Sequence, residues 1–125
     1  MAHEHSPGFL ALVNEAKRTI REMSIDEYRR RVEAGERLIL VDVREDHEWA
    51  RGHLPGAIHI GKGIVEREIE RCVPDTSAPI VFQCGGGFRS ALVCETLKRM
   101  GYGNTWSLAG GYREWCETGL PIESP

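Results

Sequence analysis

The chain has 125 residues, a formal net charge of −3, and 41% hydrophobic and 28% charged residues. This length fits one domain, and this balance of residues argues against a disordered chain. The charge argues against a nucleic-acid surface, because acidic residues flank the nearest basic cluster, Arg29-Arg30-Arg31. No segment is long and apolar enough to span a bilayer, so we predict neither a nucleic-acid nor a membrane partner.

The amino terminus shows no signal-peptide pattern, since Asn14 and Glu15 interrupt its apolar stretch. We therefore predict a cytoplasmic protein with reduced thiols. His3 and His5 could form a loose metal-binding tail, but a floppy terminus is the favoured interpretation. The four cysteines, at 72, 84, 94 and 116, have no zinc-ligand spacing. We predict no metal and no other cofactor.

The spacing of apolar residues predicts alternating helices and strands. In chain order it predicts a helix over 9–20, a helix over 24–34 opened by the capping box SIDE, strands over 37–44 and 56–60, a helix over 63–72, a strand over 78–84, a helix over 89–101, a strand over 104–108 and a last helix over 112–117. This alternation predicts one α/β domain with a mainly parallel sheet.

A cysteine and three glycines, Cys84 to Gly87, end the predicted strand 78–84. Parallel sheets bind ligands beyond the carboxyl ends of their strands, where Cys84 would lie. The glycines can adopt positive φ, which would let successive amides converge on the sulfur, and the next helix adds its N-terminal dipole. Both effects favour a thiolate, so we expect Cys84 to be an exposed nucleophile. The alternative is a buried cysteine before a tight turn.

The segment CGGGFRS resembles the active-site loop Cys-x-x-Gly-x-Arg-Ser of single-domain rhodaneses, which are sulfurtransferases. Cys84, Gly87, Arg89 and Ser90 match that pattern position by position. Two further blocks agree in the same order. LVDVREDHEWARGHLPGAIHI resembles the Asp-x-Arg-Glu block with its Gly-His-x-Pro-Gly-Ala segment, and AGGYREW resembles the closing Gly-Gly helix.

The resemblance predicts a rhodanese domain over residues 23–123, after an N-terminal extension over 1–22 that contains a short amphipathic helix. It implies a three-layer α/β domain with a five-stranded, mainly parallel sheet flanked by helices. It also implies a ping-pong reaction, in which Cys84 takes a sulfane sulfur from a donor such as thiosulfate and becomes a persulfide. The acceptor would be cyanide or a thiol, such as glutathione, thioredoxin or a carrier protein.

The resemblance also implies roles for the residues around Cys84. The loop that binds substrate and persulfide would consist of Gly85, Gly86, Gly87, Phe88, Arg89 and Ser90. Arg89 either attracts the anionic donor or pairs with a carboxylate such as Glu45 or Glu48, and the pairing is favoured. Asp42 and Arg44 would form a supporting pair.

The remaining candidates are interpreted mainly as structural. Phe88 and the stem of Arg44 are expected to line the pocket. His53 and His59 are expected to be hydrogen-bonded fold residues rather than general bases. Cys94 is predicted to lie in the core, and a resolving role for either of the helix-end thiols, at 72 and 116, is disfavoured.

Two other functions remain open at this point. Phosphatases and arsenate reductases that share the fold carry a Cys-x5-Arg loop, whereas only four residues separate Cys84 from Arg89 here. The shorter loop suits a single sulfur atom better than a tetrahedral oxyanion. A non-catalytic binding module is the other alternative, and the intact cysteine loop argues against it.

Overall fold

The structure is a computed structural model that describes residues 5–125. His3, half of the loose metal-binding tail considered above, lies outside the described residues. Within them no group of three or more His, Cys, Asp or Glu side chains could hold a metal ion. No helix in residues 5–125 is long and apolar enough to cross a membrane.

Five parallel strands form one sheet in the order β1-β5-β4-β2-β3. The strands are β1 Glu22–Met23, β2 Ile39–Asp42, β3 Ile58–His59, β4 Ile80–Gln83 and β5 Thr105–Leu108. The helices are α1 Pro7–Lys17, α2 Ile25–Glu33, α3 Asp46–Trp49, α4 Val65–Cys72, α5 Phe88–Arg99 and α6 Gly111–Glu117. This confirms the predicted α/β class and the five-stranded parallel sheet.

The sheet separates two apolar cores, because successive side chains of a strand point to opposite faces. On one face Phe82 of β4 belongs to a buried cluster with residues of α4 and α5. On the other face Val81 belongs to a second cluster with Tyr28 of α2 and Trp115 of α6. Helix α1 packs against α5. The central strand β4 is therefore buried on both sides, as its unbroken apolar run predicts.

The predicted helix over 9–20 is wrong at its C-terminal end. Helix α1 ends at Lys17, and the chain then pairs Glu22 and Met23 with β5 as the edge strand β1. A two-residue strand is too short to show an alternating pattern, so only its pairing with β5 defines it. The division into an extension over 1–22 and a domain over 23–123 stays a prediction.

The capping box predicted at the start of α2 forms only in part. Ser24 accepts a hydrogen bond from the backbone N–H of Glu27 at 3.0 Å, as expected for an N-cap. The Glu27 side chain contacts Arg31 one turn along instead. Helix α2 therefore begins where the sequence predicts, with one of the two reciprocal bonds.

Candidate active site

A pocket of about 620 Å³ opens where β4 ends and α5 begins. It is lined by His5, Phe9, Arg44, Glu48, Cys84, Gly85, Gly86, Phe88, Arg89, Tyr112, Arg113, Cys116 and Glu117. The pocket lies beyond the carboxyl end of the central strand, the position at which parallel sheets bind ligands. Most of the predicted site residues meet there; Ser90 contacts Cys84 from behind the loop, and Asp42 contacts Arg44.

The sulfur of Cys84 is held by hydrogen-bond donors of the loop and of the first turn of α5. Its Sγ accepts from the backbone N–H of Gly87 at 3.2 Å and from that of Ser90 at 3.4 Å. The Ser90 hydroxyl lies 3.5 Å from the same sulfur. These dipoles stabilise negative charge on the sulfur.

The expectation of an exposed Cys84 is wrong. The residue is only 1% exposed, because the loop curls back until the Gly87 and Ser90 amides cover its sulfur. Cys84 therefore lies at the floor of the pocket, and a substrate reaches it through the pocket rather than from the open surface.

All three glycines of the loop can adopt positive φ, but the structure uses this freedom at one of them. It is Gly87, with φ of +92°, as the N-cap of α5. A Cβ there would be strained and would lie 3.3 Å from the carbonyl oxygen of Leu108. Gly87 is thus the loop glycine whose backbone conformation requires the absence of a side chain.

Helix α6 supports the loop from behind. The backbone N–H groups of Tyr112 and Arg113 donate to the carbonyls of Cys84 and Gly85 at 2.8 and 2.9 Å. A Cβ on Gly111 would overlap the carbonyl oxygen of Cys84, so only glycine allows this approach. The Gly-Gly pair before the last helix therefore has a physical reason: it brings α6 against the cysteine loop.

Arg89 forms a two-pronged ion pair with Glu48 of α3. Its Nη1 and Nη2 donate to Oε1 and Oε2 of Glu48 at 2.6 and 3.0 Å. Hydrogen bonding to Arg89 is the main reason that the pKa of Glu48 is lowered to about 2. The pairing predicted with Glu45 or Glu48 is thus made with Glu48, and it fixes the start of α5 to α3.

Asp42 and Arg44 form the expected pair, and it is buried. Nε and Nη2 of Arg44 donate to the Asp42 carboxylate at 2.9 to 3.1 Å, and Nη2 also donates to the carbonyl of Gly52 at 2.7 Å. The guanidinium stacks on the ring of Tyr112 at 4.0 Å. With its donors used in this way, Arg44 supplies a wall of the pocket.

An aromatic wall closes the side of the pocket next to α1. Phe88 contacts His5 and Phe9, with ring centroids 4.4 and 6.3 Å away. Lys17 lies over the same Phe88 ring, 5.1 Å from its centroid. The expectation that Phe88 lines the pocket is confirmed. The contribution of α1 was not expected, because aromatic spacing on a helix does not distinguish a pocket wall from a core.

The family model described as "Rhodanese-like domain" matches residues 24–118. The chain belongs to the rhodanese-like domain family. The three blocks that suggested the resemblance, the cysteine loop, the Asp-x-Arg-Glu block and the closing Gly-Gly helix, all lie within this match.

Individual relatives of this rhodanese-like domain carry sulfurtransferase names. The thiosulfate sulfurtransferase GlpE of Haemophilus influenzae (strain PittEE) is 35% identical over 86 residues, 69% of this chain and 80% of GlpE. A sulfurtransferase of Allochromatium vinosum is 30% identical over 106 residues, 85% of this chain and 97% of that one. A Rhodopseudomonas palustris structure, described as of unknown function and a possible tyrosine phosphatase, has a TM-score of 0.81 at 29% identity and covers 98% of this chain and 99% of its own.

A chain of two hydroxyl groups behind the Cys84 sulfur of the rhodanese-like domain is not predicted by the sequence motifs. The Ser107 hydroxyl lies 2.7 Å from that of Ser90, which lies beside the Cys84 sulfur. Ser107 also contacts the carbonyl of Gly87 at 3.4 Å. A serine in the middle of the buried strand β5 was the available signal, since a buried hydroxyl needs a partner.

The other cysteines occupy different surroundings. Cys94 is buried in the core as predicted, and burial is the main cause that raises its pKa to about 12. Cys72 is exposed at the end of α4, and Cys116 is exposed on α6 at the pocket.

The two histidines of the second block have hydrogen-bond partners in the fold, as expected. Nδ1 of His53 lies 2.9 Å from the carbonyl of Leu54, and Nε2 of His59 lies 2.8 Å from that of Arg44. Both rings stack on Trp49, at 3.8 and 4.8 Å between centroids.

Proposed function

We propose that this protein is a rhodanese-type sulfurtransferase that moves a sulfane sulfur from a small anionic donor, such as thiosulfate, through a Cys84 persulfide to a thiol or to cyanide. The observation that carries the proposal is the Cys84 sulfur at the floor of an open pocket, with the Gly87 and Ser90 amides directed at it. The sulfurtransferase relatives support the same class of reaction.

In the first half-reaction the Cys84 thiolate attacks the outer sulfur of thiosulfate. A new S–S bond forms to Cys84 while the old S–S bond breaks, and sulfite leaves with the electron pair of that bond. The terminal sulfur of the persulfide carries one negative charge. The Gly87 and Ser90 amides and the Ser90 hydroxyl contact the Cys84 sulfur itself, so they would stabilise the thiolate that attacks in this step and leaves in the next.

In the second half-reaction a nucleophile attacks the terminal sulfur. Cyanide gives thiocyanate, and a thiolate gives a new persulfide on the acceptor; in either case Cys84 leaves as the thiolate that began the cycle. A cysteine suits both steps because its thiolate is a good nucleophile and a good leaving group. Glutathione, thioredoxin or a carrier protein are proposed acceptor classes, and the cytoplasmic location stays a prediction.

The phosphatase and arsenate reductase alternative is disfavoured by the position of Arg89. An oxyanion site with this loop needs the arginine to face the bound anion. Here both terminal nitrogens of Arg89 bind Glu48. Within the described part of the chain, the donors at the sulfur come from Gly87 and Ser90, which suits one charged atom better than a tetrahedral group.

Steady-state kinetics with thiosulfate and cyanide test this proposal. Initial-rate plots at several donor concentrations should give parallel lines, because the sulfur stays on the enzyme between the half-reactions. Cys84→Ser should lower the rate at least about a hundred-fold, since it removes the nucleophile. Cys72→Ser, which changes an exposed thiol outside the pocket, should retain the wild-type rate.

Two results would contradict the proposed mechanism. Lines that intersect would indicate a ternary complex instead of a persulfide intermediate. A Cys84→Ser rate above about a tenth of wild type would place the nucleophile elsewhere, and a binding module would then be the better description.

A further inference from the structure

Three arginines line the pocket around Cys84, and two of them are already bound to carboxylates. Arg44 is 3% exposed and bonds Asp42 and the carbonyl of Gly52. Arg89 bonds Glu48 through both terminal nitrogens. Each of these guanidinium groups is neutralised by its partner, so neither is available to bind an anionic donor without breaking a pair.

Arg113 is the third arginine of the pocket. Within residues 5–125 its guanidinium makes no hydrogen bond or ion pair to another side chain. Its backbone N–H donates to the carbonyl of Gly85 at 2.9 Å, which fixes the helix turn that carries it against the loop. A Cβ placed on Gly86 would lie 3.2 Å from Nη2 of Arg113, so the guanidinium lies over the loop two residues after Cys84.

Besides its arginines, the pocket is lined by two carboxylates, and a lysine lies beside it. Glu48 is neutralised by Arg89. Glu117 lines the same pocket and lies four residues after Arg113 on α6, so its field opposes that of Arg113. Lys17 lies over the Phe88 ring and 3.8 Å from Glu22. Arg113 is therefore the cation at this pocket that has the least compensation among the described residues.

A cation is needed here because the proposed donor is a dianion that must approach a thiolate. We propose that Arg113 binds the anionic, departing end of the sulfur donor, the sulfonate group in the case of thiosulfate, and so determines the preference for oxyanionic donors. This inference rests on the proposed function, and it moves the donor-attracting role considered for Arg89 to a residue of the last helix. Arg113 also stays beside the sulfite group as that group leaves.

The half-reactions separate this role from a merely structural one. Arg113→Gln should lower kcat/KM for thiosulfate about tenfold, the size expected for one charge-assisted hydrogen bond. The kcat/KM for cyanide, which reports sulfur transfer from the persulfide, should stay within about twofold. Arg113→Lys should recover part of the loss because it keeps the charge. Glu117→Gln should change kcat/KM for thiosulfate in the opposite direction.

Arg99→Gln provides the matched control. Arg99 is an exposed arginine at the last position of α5, about 16 Å along the helix from the loop. The control removes the same charge from the chain and should leave both kcat/KM values unchanged. Equal effects of Arg113→Gln on both half-reactions, or an effect no larger than that of Arg99→Gln, would overturn the assignment.

A binding measurement keeps this inference distinguishable from the proposed function. Thiosulfate can be titrated into Cys84→Ser, which cannot accept sulfur, with backbone amide NMR shifts as the readout. Adding Arg113→Gln to that variant should weaken thiosulfate binding about tenfold. Equal affinities would refute the assignment even if the wild-type enzyme is an active sulfurtransferase. Weaker binding without wild-type turnover would support the anion site and contradict the proposed function.

Discussion

The ion pair between the side chains of Arg89 and Glu48 connects the cysteine loop to helix α3. The pair is half-buried, with Glu48 about a quarter exposed, and its two short hydrogen bonds hold the pKa of Glu48 at about 2. That pKa lies below the ordinary carboxyl value. The pair therefore stabilises the native state fully above about pH 4.5, and its contribution is lost as the pH falls toward 2.

Replacing Glu48 tests this at the residue scale. Glu48→Gln should lower the free energy of unfolding near pH 7 by about 1–2 kcal/mol, a value reduced for partial solvent screening. The difference from wild type should shrink between about pH 4.5 and pH 2, and urea unfolding at several pH values measures it. Glu66→Gln, an exposed carboxylate on α4, serves as the control. A difference that is constant down to pH 2 would contradict the role of this ion pair.

Cys84 can be predicted as the candidate nucleophile from its sequence motif, whereas some of the residues around it cannot. Cys84 and Arg89 belong to a contiguous motif, so their sequence spacing alone identifies them. Ser107 and Arg113 belong to other elements, and they meet the loop only because β5 and α6 pack beside it. The burial of Cys84 also depends on how the loop curls, which spacing does not specify.

Helix α1 is the element that shapes the pocket from outside the family match, which begins at residue 24. It packs on α5 and brings His5 and Phe9 to Phe88. The pocket therefore has an aromatic wall at the N-terminal end of α1, and α6 contributes Arg113 and Glu117 to its lining. A small acceptor such as cyanide has no carbon framework to contact the aromatic wall, whereas a larger thiol has.

A truncation of that wall is the corresponding prediction. Phe9→Ala should lower kcat/KM for glutathione about threefold to tenfold, because apolar contact area is lost, and leave kcat/KM for cyanide nearly unchanged. Leu12→Ala is the control, since Leu12 lies on the same helix and is 59% exposed. Equal losses with both acceptors, or equal effects of the two variants, would contradict a role of α1 in acceptor binding.

The same elements show which parts of the fold could be predicted. The buried strands β2, β4 and β5 and the helix α5 have long, clear patterns, and the structure contains them where predicted. The edge strand β1 has two residues and depends on pairing with β5. Its existence followed from the family resemblance, and its position required the three-dimensional structure.

At the scale of the whole molecule, the residues of the proposed active site lie at one end of the sheet, beyond the carboxyl ends of its strands. Arg44 and Cys84 follow the carboxyl ends of β2 and β4 and line the same pocket. Arg113 reaches this pocket from α6, which packs on the same face of the sheet as α2. Helices on both faces bury the strands, and the loops at this end of the sheet contribute to the pocket around Cys84. The proposed reaction therefore uses one thiol, Cys84, although the chain has four cysteines.

The most direct measurement is to locate the transferred sulfur. The protein is incubated with thiosulfate, freed from excess donor and digested without reductant, and the peptides are mapped by mass. One added sulfur atom is expected on the peptide that contains Cys84. Cys94 should carry none because it does not line the pocket of Cys84 and its pKa of about 12 keeps it a neutral thiol. Sulfur found mainly on Cys72 or Cys116, or on no cysteine, would contradict the account.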